Sequence, residues 1–427
     1  MKHIPSIQDI CTGGLTEQAG LTGGPTSADP YRSEPYFELE RERVFKRAWL
    51  CIGRIEQLPK PGSYITTVIE CWNAPIVITR DQNNNIQAFY NVCAHRANQV
   101  VLEKSGEAFR FSCAYHQWTY KISGELVAVP DKENFTGLDF KKCGLRKIST
   151  SIWEGWIFLN YQDNPEISLL EFLGDAGKFL SGVPWCNSDK SILYVAHLQA
   201  NWKVIADAFA EAYHVPYLHR NTLAAGLADE LNPFGRPLSG RFWGMHRQAS
   251  MYAPQSYTIP ERAIVEKIAY ANLQTGNQLG ASAADELAAY REHPAVNPGR
   301  SEYWGVDLNW IFPNILIDFS PGGFWQHRYW PISVNSTRWE AEFYMPNAKS
   351  ARHRLQQEHY TARTAEILLE DVTNTERTQR GLESLAHDNI MLQDSEVLLR
   401  HNLAMLNKWI EAKTASDAIS SCQYMPA

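Results

Sequence analysis

The segment CAHRANQVVLEKSGEAFRFSCAYHQWTY, residues 93–120, contains the most informative pattern in the chain. It begins with Cys93-x-His95 and then, after residues 96–112, presents the same two residue types as Cys113-x-x-His116. Thiolate sulfur and imidazole nitrogen are common protein ligands of transition metals. Because each loop supplies one cysteine and one histidine, the spacing predicts a metal centre built from two similar loops.

Two kinds of metal centre compete for these four side chains. A structural zinc site places its cysteines in one knuckle and its histidines in another. A Rieske [2Fe–2S] cluster has two cysteines on one iron and two histidines on the other, and mixed loops suit this arrangement. The pattern therefore favours the cluster over zinc. Aromatic side chains flank the second loop and are expected to keep water from such a cluster: Phe111, Tyr115, Trp118 and Tyr120.

These loops resemble those of the large (α) subunit of Rieske non-haem iron oxygenases, the ring-hydroxylating family. The family pattern is C-x-H-R-G followed by C-P-Y-H-x-W-x-Y-x-x-x-G-x-L, and this chain reads CAHRA at 93–97 and CAYHQWTYKISGEL at 113–126. All four cluster ligands match. Ala97 replaces the usual Gly and Ala114 the usual Pro, so we expect intact ligation but an altered loop backbone. The resemblance extends from about residue 35 to the C-terminus.

A second metal motif lies in ADAFAEAYHVPYLH, residues 206–219. His214 and His219 follow a stretch that reads as helix from about Lys203, and we expect Pro216 to break that helix so that both histidines reach one metal. An isolated pair with this spacing is more often two unconnected surface histidines. Two histidines and one carboxylate on one face are, however, the ligand set of a mononuclear ferrous iron that leaves positions open for O2.

The resemblance identifies both histidines as iron ligands and supplies the third ligand. The family has N-W-K, acidic residues, Tyr-His and a second His in this order, which residues 201–219 match. Its carboxylate ligand is the Asp of an E-D-x4-E-x2-Q-x-G run, and residues 370–381 reproduce that run with Asp371 at the ligand position. The residues alone leave Asp371 one of many acidic side chains, with Asp388 and Asp394 as competing candidates.

Two further carboxylates are predicted to act at the iron site. In the family, the carboxylate three residues before the first histidine ligand bridges to a cluster histidine of the neighbouring subunit. Glu211 occupies this position, where most ring-hydroxylating members have Asp. Such a carboxylate can accept a hydrogen bond from each imidazole and provide an electron path. Asp207 lies one helical turn earlier on nearly the same face and is expected to support the site.

Composition indicates an ordinary globular protein of 427 residues with a net charge of −7. The negative charge argues against nucleic acid or an anionic membrane as partner. No apolar run is long enough to span a membrane, and the N-terminal residues lack the apolar core of a signal peptide. The cysteines outside the two loops show no paired spacing. Together these features predict a cytoplasmic protein.

The expected fold class is α+β. A small all-β Rieske domain, residues 46–163, is predicted from alternating runs such as SYITTVI and APIVITR. It is inserted into a catalytic domain, residues 1–45 and 164–427, with an antiparallel sheet covered by helices (helix-grip type). Runs such as VDLNWIFPNILIDF predict the strands of that sheet, and the C-terminal part reads as helical. Residues 258–300 are either a surface insertion or a lid over a substrate channel.

The resemblance implies a terminal oxygenase that hydroxylates a small organic, aromatic-ring substrate with O2. Electrons would come from a separate NAD(P)H-dependent reductase, with or without a ferredoxin, and the chain has no dinucleotide fingerprint of its own. The implied cofactors are a Rieske [2Fe–2S] cluster and a mononuclear Fe(II), in a homotrimer with or without a β subunit. The alternative is a Rieske monooxygenase or demethylase acting on an N- or O-alkyl or quaternary-amine substrate.

Two other classes and the nature of the pocket remain open. A pure Rieske electron carrier would lack the set His214, His219 and Asp371, and a zinc-stabilised binding protein would contain no iron. Six aromatic residues lie near the second motif or within the strand-like runs: Phe209, Trp310, Phe312, Phe319, Phe324 and Trp325. Their side chains could line a pocket for a flat ring or belong to the core.

Overall fold

The computed structural model describes residues 11–185, 191–255, 288–320, 323–345 and 350–422, together with the single positions 261, 264, 267, 347 and 348. The chain forms two compact units, one containing residues 41–172 and the other residues 1–40 and 173–427. The sequence predicts these limits at 46 and 163. Most of the predicted insertion or lid at 258–300 lies outside the described residues, which resume at 288.

The elements are numbered in chain order. The strands before residue 165 are β1 Pro25–Ser27, β2 Leu50–Arg54, β3 Ser63–Ile69, β4 Ala74–Arg80, β5 Ile86–Tyr90, β6 Ser105–Glu107, β7 Arg110–Ser112, β8 Thr119–Lys121, β9 Leu126–Ala128, β10 Lys147–Trp153 and β11 Trp156–Asn160. The later strands are β12 Ser191–Leu198, β13 Ser239–Trp243, β14 His246–Tyr252, β15 Trp304–Ile311, β16 Ile315–Ser320, β17 Gly323–Ser333, β18 Ser336–Tyr344 and β19 Asn389–Met391. The α-helices are α1 Leu15–Gln18, α2 Glu34–Glu40, α3 Leu169–Leu180, α4 Trp202–Ala208, α5 Val215–Leu218, α6 Ala224–Leu227, α7 Ala288–Glu292, α8 Ala351–Glu383, α9 Val397–Glu411 and α10 Ala415–Cys422.

The smaller unit is built from β-sheets. Its main sheet has seven antiparallel strands in the order β2-β11-β10-β5-β4-β3-β6, and strands β7, β8 and β9 form a second sheet. The runs SYITTVI and APIVITR are strands β3 and β4, which pair with each other from Tyr64 opposite Thr79 to Ile69 opposite Ala74. A hydrophobic core that includes Phe89, Trp118 and Leu126 also contains Cys93 and Cys113. The core of this unit therefore extends to the two metal-binding loops predicted from the sequence.

The larger unit is organised around a second antiparallel sheet, in the order β12-β18-β17-β16-β15-β14-β13. The predicted run at 306–319 is a hairpin of β15 and β16, in which Ile311 pairs with Ile315. Pro313 falls in the turn between the two strands. Proline has no backbone N–H, and no inter-strand hydrogen bond requires one at this position. Helices α4 and α8 contact each other, and each contacts strands of this sheet. The predicted α+β class, with an antiparallel sheet covered by helices, is confirmed.

Helix α8 is long and mostly polar, so its position depends on a narrow buried stripe. Ser350 caps its start by accepting a hydrogen bond from the His353 N–H at 3.1 Å. Buried positions recur at intervals of three, four or seven residues, which keeps them on one helix face: His353, Gln357, Tyr360, Ile367, Asp371, Thr375 and Gln379. Asp371 therefore lies on the face that packs into the unit. None of the helices in the described part of the chain combines the length and hydrophobicity of a membrane-spanning segment.

Candidate metal centres

The two predicted cluster loops share one backbone geometry. In the first loop the Ala97 N–H donates to the Cys93 carbonyl at 3.0 Å, and in the second the Gln117 N–H donates to the Cys113 carbonyl at 2.8 Å. Ala97 and Gln117 both have a left-handed φ, of 57° and 58°. Each cysteine and the histidine after it therefore lie on one tight turn. Glycine adopts this φ at the lowest cost, so Ala97 occupies a backbone position better suited to the family's usual Gly.

The structure brings the four predicted cluster ligands together. Cys93 and Cys113 are buried in the core of the unit. The two Nδ1 atoms of the half-buried His95 and His116 lie 3.2 Å apart. The Cys93 sulfur lies 3.2 Å from the hydroxyl of Tyr120. Two buried thiols beside two half-buried imidazoles are a donor set that fits a Rieske cluster, with the sulfur donors in the core and the nitrogen donors nearer the surface.

The aromatic residues around the cluster loops differ in exposure. Trp118 is buried and stacks on the His95 ring, with centroids 5.1 Å apart. Phe111 and Tyr120 are also buried, whereas Tyr115 is 53% exposed. The Tyr115 ring covers His116 from the solvent side, with ring centroids 3.8 Å apart, and lies 5.0 Å from the Arg96 guanidinium. Shielding of the centre by all four aromatics stays a prediction.

In the larger unit, His214, His219 and Asp371 come together although their helices are far apart in sequence. The two Nε2 atoms are 3.1 Å apart, and the Asp371 Oδ1 lies 3.0 Å from that of His219 and 3.3 Å from that of His214. A six-coordinate divalent cation with bonds of about 2.1 Å has adjacent ligands about 3.0 Å apart. The three ligand atoms therefore fit one face of a single metal ion, the arrangement of a two-histidine, one-carboxylate iron site.

A second carboxylate lies behind each histidine. The His214 Nδ1 forms a hydrogen bond with Glu211, and the His219 Nδ1 forms one with Glu370 at 2.6 Å. Thr222 donates to the same Glu370 oxygen at 2.7 Å. A carboxylate at Nδ1 keeps the ring proton on that nitrogen, so Nε2 retains its lone pair for a metal. Sequence reasoning missed this role of Glu370, although its place directly before Asp371 in the E-D run was a usable signal.

The local backbone around the histidines differs from the predicted helix. Helix α4 begins after Asn201, whose side chain accepts from a backbone N–H at 3.0 Å, and it ends at Ala208, well before His214. The chain re-enters a helix only at α5, and Pro216 lies in its first turn, where a missing N–H costs nothing. Pro216 thus starts a helical turn instead of breaking one. The single turn of α5 lets both His214 and His219 face Asp371.

Asp207 lies away from the metal ligands. Its carboxylate accepts a hydrogen bond from the Tyr31 hydroxyl at 2.6 Å. Burial raises the pKa of Asp207 to about 7, against the opposing effects of the Tyr31 hydrogen bond and of the Arg247 charge. Among the described residues, no hydrogen bond joins Asp207 to the three ligands. Its contacts connect α4 to the N-terminal segment, so any support it gives to the site is indirect.

The two competing acidic candidates are also engaged elsewhere. The side chain of Asp388 is 92% exposed and lies 3.6 Å from Arg32. Asp394 accepts the backbone N–H groups of Leu15 at 3.1 Å and Thr16 at 2.8 Å, so it caps the start of α1. Only Asp371 of the three candidates lies beside the histidines.

The charges of the histidines and carboxylates at the triad complement one another. Burial lowers the pKa of His214, but hydrogen bonds to Asp371 and Glu211 outweigh this effect and raise the pKa to about 10. Burial likewise raises the pKa of Asp371, and the two histidines more than reverse it, so the net shift is downwards. The site therefore favours positive charge between its carboxylates, as a cation-binding site requires.

A cavity of about 150 Å³ adjoins the triad and is lined mainly by apolar side chains, including Val215, Leu223, Leu308 and Ile367. Of the six aromatic residues considered from the sequence, Phe209 and Trp325 line this cavity. The other four are buried in the core and are not among the lining residues: Trp310, Phe312, Phe319 and Phe324.

Two polar residues of the cavity wall had no signal in the sequence. Asp318 and His327 come from neighbouring strands, β16 and β17, and both line the cavity. Neither belongs to a motif with recognisable spacing. Only the register of the two strands brings them together.

Comparison with protein families gives two matches that together cover most of the chain. Residues 48–147 match the Rieske [2Fe–2S] domain, and residues 189–412 match the ring hydroxylating alpha subunit (catalytic domain). The second match covers more than half of the chain. The protein belongs to the ring-hydroxylating α-subunit family, as the sequence motifs predicted. It contains a Rieske [2Fe–2S] domain and the catalytic domain of a family that binds mononuclear iron.

Individual relatives include both dioxygenases and a monooxygenase. The α subunit of benzene 1,2-dioxygenase from Pseudomonas putida is 33% identical over 247 residues, which are 54% of this chain and 52% of the relative. The carnitine monooxygenase oxygenase subunit of Acinetobacter pittii is 32% identical over 193 residues, 44% of this chain and 51% of the relative. The matched stretch spans about half the length of these curated relatives.

A solved structure of a quaternary ammonium Rieske monooxygenase has the same fold. It superposes with a TM-score of 0.72 at 20% identity, and the superposition covers 93% of this chain and 98% of that one. At this identity the likeness establishes the fold alone, that is, a Rieske domain combined with a helix-covered antiparallel sheet.

Proposed function

We propose that this protein is a terminal oxygenase that uses O2 and externally supplied electrons to hydroxylate a small, aromatic-ring substrate. The observation that carries the proposal is the His214, His219 and Asp371 triad, whose ligand atoms are 3.0–3.3 Å apart at the wall of a mainly apolar cavity. A pure Rieske electron carrier has no use for such a site. The benzene dioxygenase relative supports a ring substrate.

The proposal assigns the metal ligands as follows. Cys93, His95, Cys113 and His116 would hold the [2Fe–2S] cluster, and His214, His219 and Asp371 the mononuclear Fe(II). When bound, the cluster supplies single electrons, and the ferrous iron offers open positions at which O2 is activated. The two sets of donor atoms fit both groups.

The remaining groups of the site orient, bind and exclude water. Glu211 and Glu370 hold the Nδ1 protons of the two histidines, so that each Nε2 is presented in the tautomer that a metal needs. Apolar side chains such as Leu308 and Ile367 place a hydrophobic substrate beside the triad and keep bulk water away. Both tasks require a rigid wall, which the sheet and α8 provide.

The proposal also includes partners. The electrons would come from a separate NAD(P)H-dependent reductase, with or without a ferredoxin. Glu211 would bridge His214 to a cluster histidine of a neighbouring copy in a homotrimer, with or without a β subunit. Its contact with the Nδ1 of His214 supports one half of this bridge. The other half requires a neighbouring subunit.

The second candidate is a Rieske monooxygenase or demethylase acting on an N- or O-alkyl or quaternary-amine substrate. The carnitine monooxygenase relative favours it, and so does the Glu at position 211 in place of Asp. The fold likeness does not separate the two candidates, because both kinds of enzyme share it.

Single turnover of the chemically reduced protein with 18O2 would decide between these candidates. The panel would contain arenes, aryl methyl ethers and methylamines, with products read by mass. Two labelled atoms in one product indicate dihydroxylation, whereas one labelled atom or released formaldehyde indicates monooxygenation or dealkylation. Failure of every compound to give a labelled product would contradict the proposed function.

Matched variants would test the ligand assignment. Asp371→Ala should lose the mononuclear iron and all turnover while keeping the visible spectrum of the cluster, because only one of the two metals is affected. Asp388→Ala, at an exposed acidic position of the same region, should bind both metals normally. Loss of iron from the Asp388 variant instead would refute the assignment.

A further inference from the structure

One part of the cavity wall is polar although the rest is mainly apolar. Asp318 on β16 and His327 on β17 are 2% and 1% exposed, and both line the cavity beside the metal triad. The His327 Nε2 lies 2.9 Å from the Asp318 Oδ2. Burying a carboxylate without full hydrogen bonding disfavours folding. A carboxylate buried in the cavity wall therefore indicates a functional role.

The neighbouring aromatics hold His327 in one tautomer. The Trp339 indole N–H donates to the His327 Nδ1 at 3.2 Å, so this nitrogen carries a lone pair. The ring proton is then on Nε2 and is donated to Asp318. Phe209 stacks on the imidazole, with ring centroids 4.5 Å apart, and prevents it from turning. The Trp325 indole nitrogen, 3.2 Å from Nε2, also donates towards the carboxylate.

This arrangement satisfies only one side of the Asp318 carboxyl group. The second oxygen, Oδ1, has no hydrogen-bond partner among the described residues. Burial raises the pKa of Asp318, and the contacts with His327 and Trp325 only partly oppose this shift. A purely structural pair would be expected to use both oxygens. The unpaired oxygen of a cavity-lining residue points to a ligand that completes the site.

We propose that Asp318, positioned by His327, determines substrate specificity by accepting a hydrogen bond from an N–H or O–H group of the substrate. This inference rests on the proposed function, since it concerns the substrate of the same cavity. It identifies the substrate class as ring compounds that carry such a donor, in preference to plain hydrocarbons. A hydrocarbon would leave Asp318 Oδ1 buried and unpaired, which disfavours its binding.

Three bicyclic compounds of nearly equal shape would test this inference. Indole has a ring N–H donor, indene a CH2 group and benzofuran an oxygen acceptor at the same ring position. Their dissociation constants would be measured by equilibrium dialysis against the holoenzyme. We expect the protein to bind indole about 10-fold to 100-fold more tightly than either of the other two.

The variant Asp318→Asn should reverse the preference. The Asn amide oxygen would accept from the His327 Nε2–H, which leaves the amide NH2, a donor, for the substrate. Indole should then lose its advantage, and benzofuran should bind at least as tightly as indole. The matched control is Asp307→Asn. Asp307 is buried on the adjacent strand β15, bonds to Ser250 at 2.6 Å and does not line the cavity.

The possible results separate this inference from the proposed function. Equal affinities for the three compounds, no binding of indole, or an unchanged preference in the Asp318 variant would each overturn the inference. So would a loss of preference in the Asp307 control. Oxygenation is scored separately, by single turnover with each bound compound. Selective binding without oxygenation would reject the proposed function and leave the role of Asp318 standing.

Discussion

At the scale of single residues, the iron site depends on proton placement as much as on ligand placement. A histidine offers a metal the nitrogen that lacks a proton, and the partner of the other nitrogen selects the tautomer. Glu211 does this for His214 and Glu370 for His219. Thr222 holds Glu370 in turn. We therefore expect the two carboxylates to contribute to metal affinity, although neither is placed as a ligand.

Replacing Glu370 by Ala is expected to lower the affinity for mononuclear iron about 10-fold to 100-fold, because the His219 ring loses the group that fixes its tautomer. Anaerobic titration of the variant with Fe(II) would measure this loss. The visible spectrum of the cluster should not change.

Glu366→Ala is the matched control for Glu370→Ala, since Glu366 is an exposed glutamate on the same helix α8. It should bind iron like the unmodified protein. Equal affinity of the Glu370 and Glu366 variants would show that the contact with His219 does not contribute.

At the scale of elements, each metal site is formed by short turns held against longer elements. The Gln379 side chain on α8 accepts the Asn201 N–H at 3.0 Å, and Asn201 caps the start of α4. Helix α8, which carries Asp371, is thereby joined directly to the start of α4, the helix that precedes the two histidines. In the Rieske unit, the predicted ligands lie on two tight loops. Each loop has one residue with a left-handed φ four positions after its cysteine, Ala97 in the first and Gln117 in the second.

Ala97→Gly is expected to stabilise the first cluster loop by roughly 0.5–1 kcal/mol, because the left-handed φ of 57° is unfavourable for alanine and freely allowed for glycine. The measurement is the temperature at which the visible absorbance of the cluster disappears on heating the holoprotein, which should rise.

The control for this loop is Ala94→Gly. Ala94 lies in the same turn but is not among the residues with positive φ, so glycine there only adds flexibility to the unfolded chain. The absorbance should be lost at a lower temperature. A higher temperature for both variants would mean that the loop φ is not the cause.

At the scale of the whole molecule, the N-terminal segment is part of the catalytic unit. Glu40 and Lys203 form a fully buried ion pair at 2.7 Å, and Tyr31 donates to the half-buried Asp207. Both contacts join residues before position 41 to helix α4. Buried charges of this kind are costly when one partner is removed. The packing of helix α4 therefore depends on a segment that lies far away in sequence.

Asp207 should make the stability of this unit depend on pH. Its pKa is about 7 in the folded protein against an ordinary value of 3.8, so between these values the folded state holds a proton that the unfolded state releases. The free energy of unfolding then falls as pH rises towards 7, by up to about 1.4 kcal/mol per pH unit, and levels off above it.

Replacing Asp207 should remove the pH dependence that its carboxyl group contributes to the free energy of unfolding. Calorimetric melting of Asp207→Asn at pH 5 and pH 7 should show a smaller drop in melting temperature than the unmodified protein shows. Asp388→Asn, at an exposed aspartate, should retain the original pH dependence. Identical pH profiles for the Asp207 variant and the unmodified protein would contradict a protonated Asp207.

The sequence by itself determined the family, the α+β class and the kind of cofactors. Cys93-x-His95, Cys113-x-x-His116 and the His214–His219 pair are recognisable because the ligands of each set lie within a few residues of one another. The strands β3 and β4 were predictable for the same reason, since alternation along a strand is a local pattern. Asp371 was found only through the resemblance, because its distance from the histidines removes any local signal.

Only the tertiary structure decided which side chains meet across elements. It placed Glu370 behind His219, turned Asp207 towards Tyr31, and left Tyr115 at the surface. Strand register placed Asp318 diagonally across from His327 in the cavity wall, within 2.9 Å of its Nε2. Such contacts depend on how sheets and helices pack, and the energy of packing is summed over many residues distant in sequence. Local spacing therefore defines the motifs, and packing defines what surrounds them.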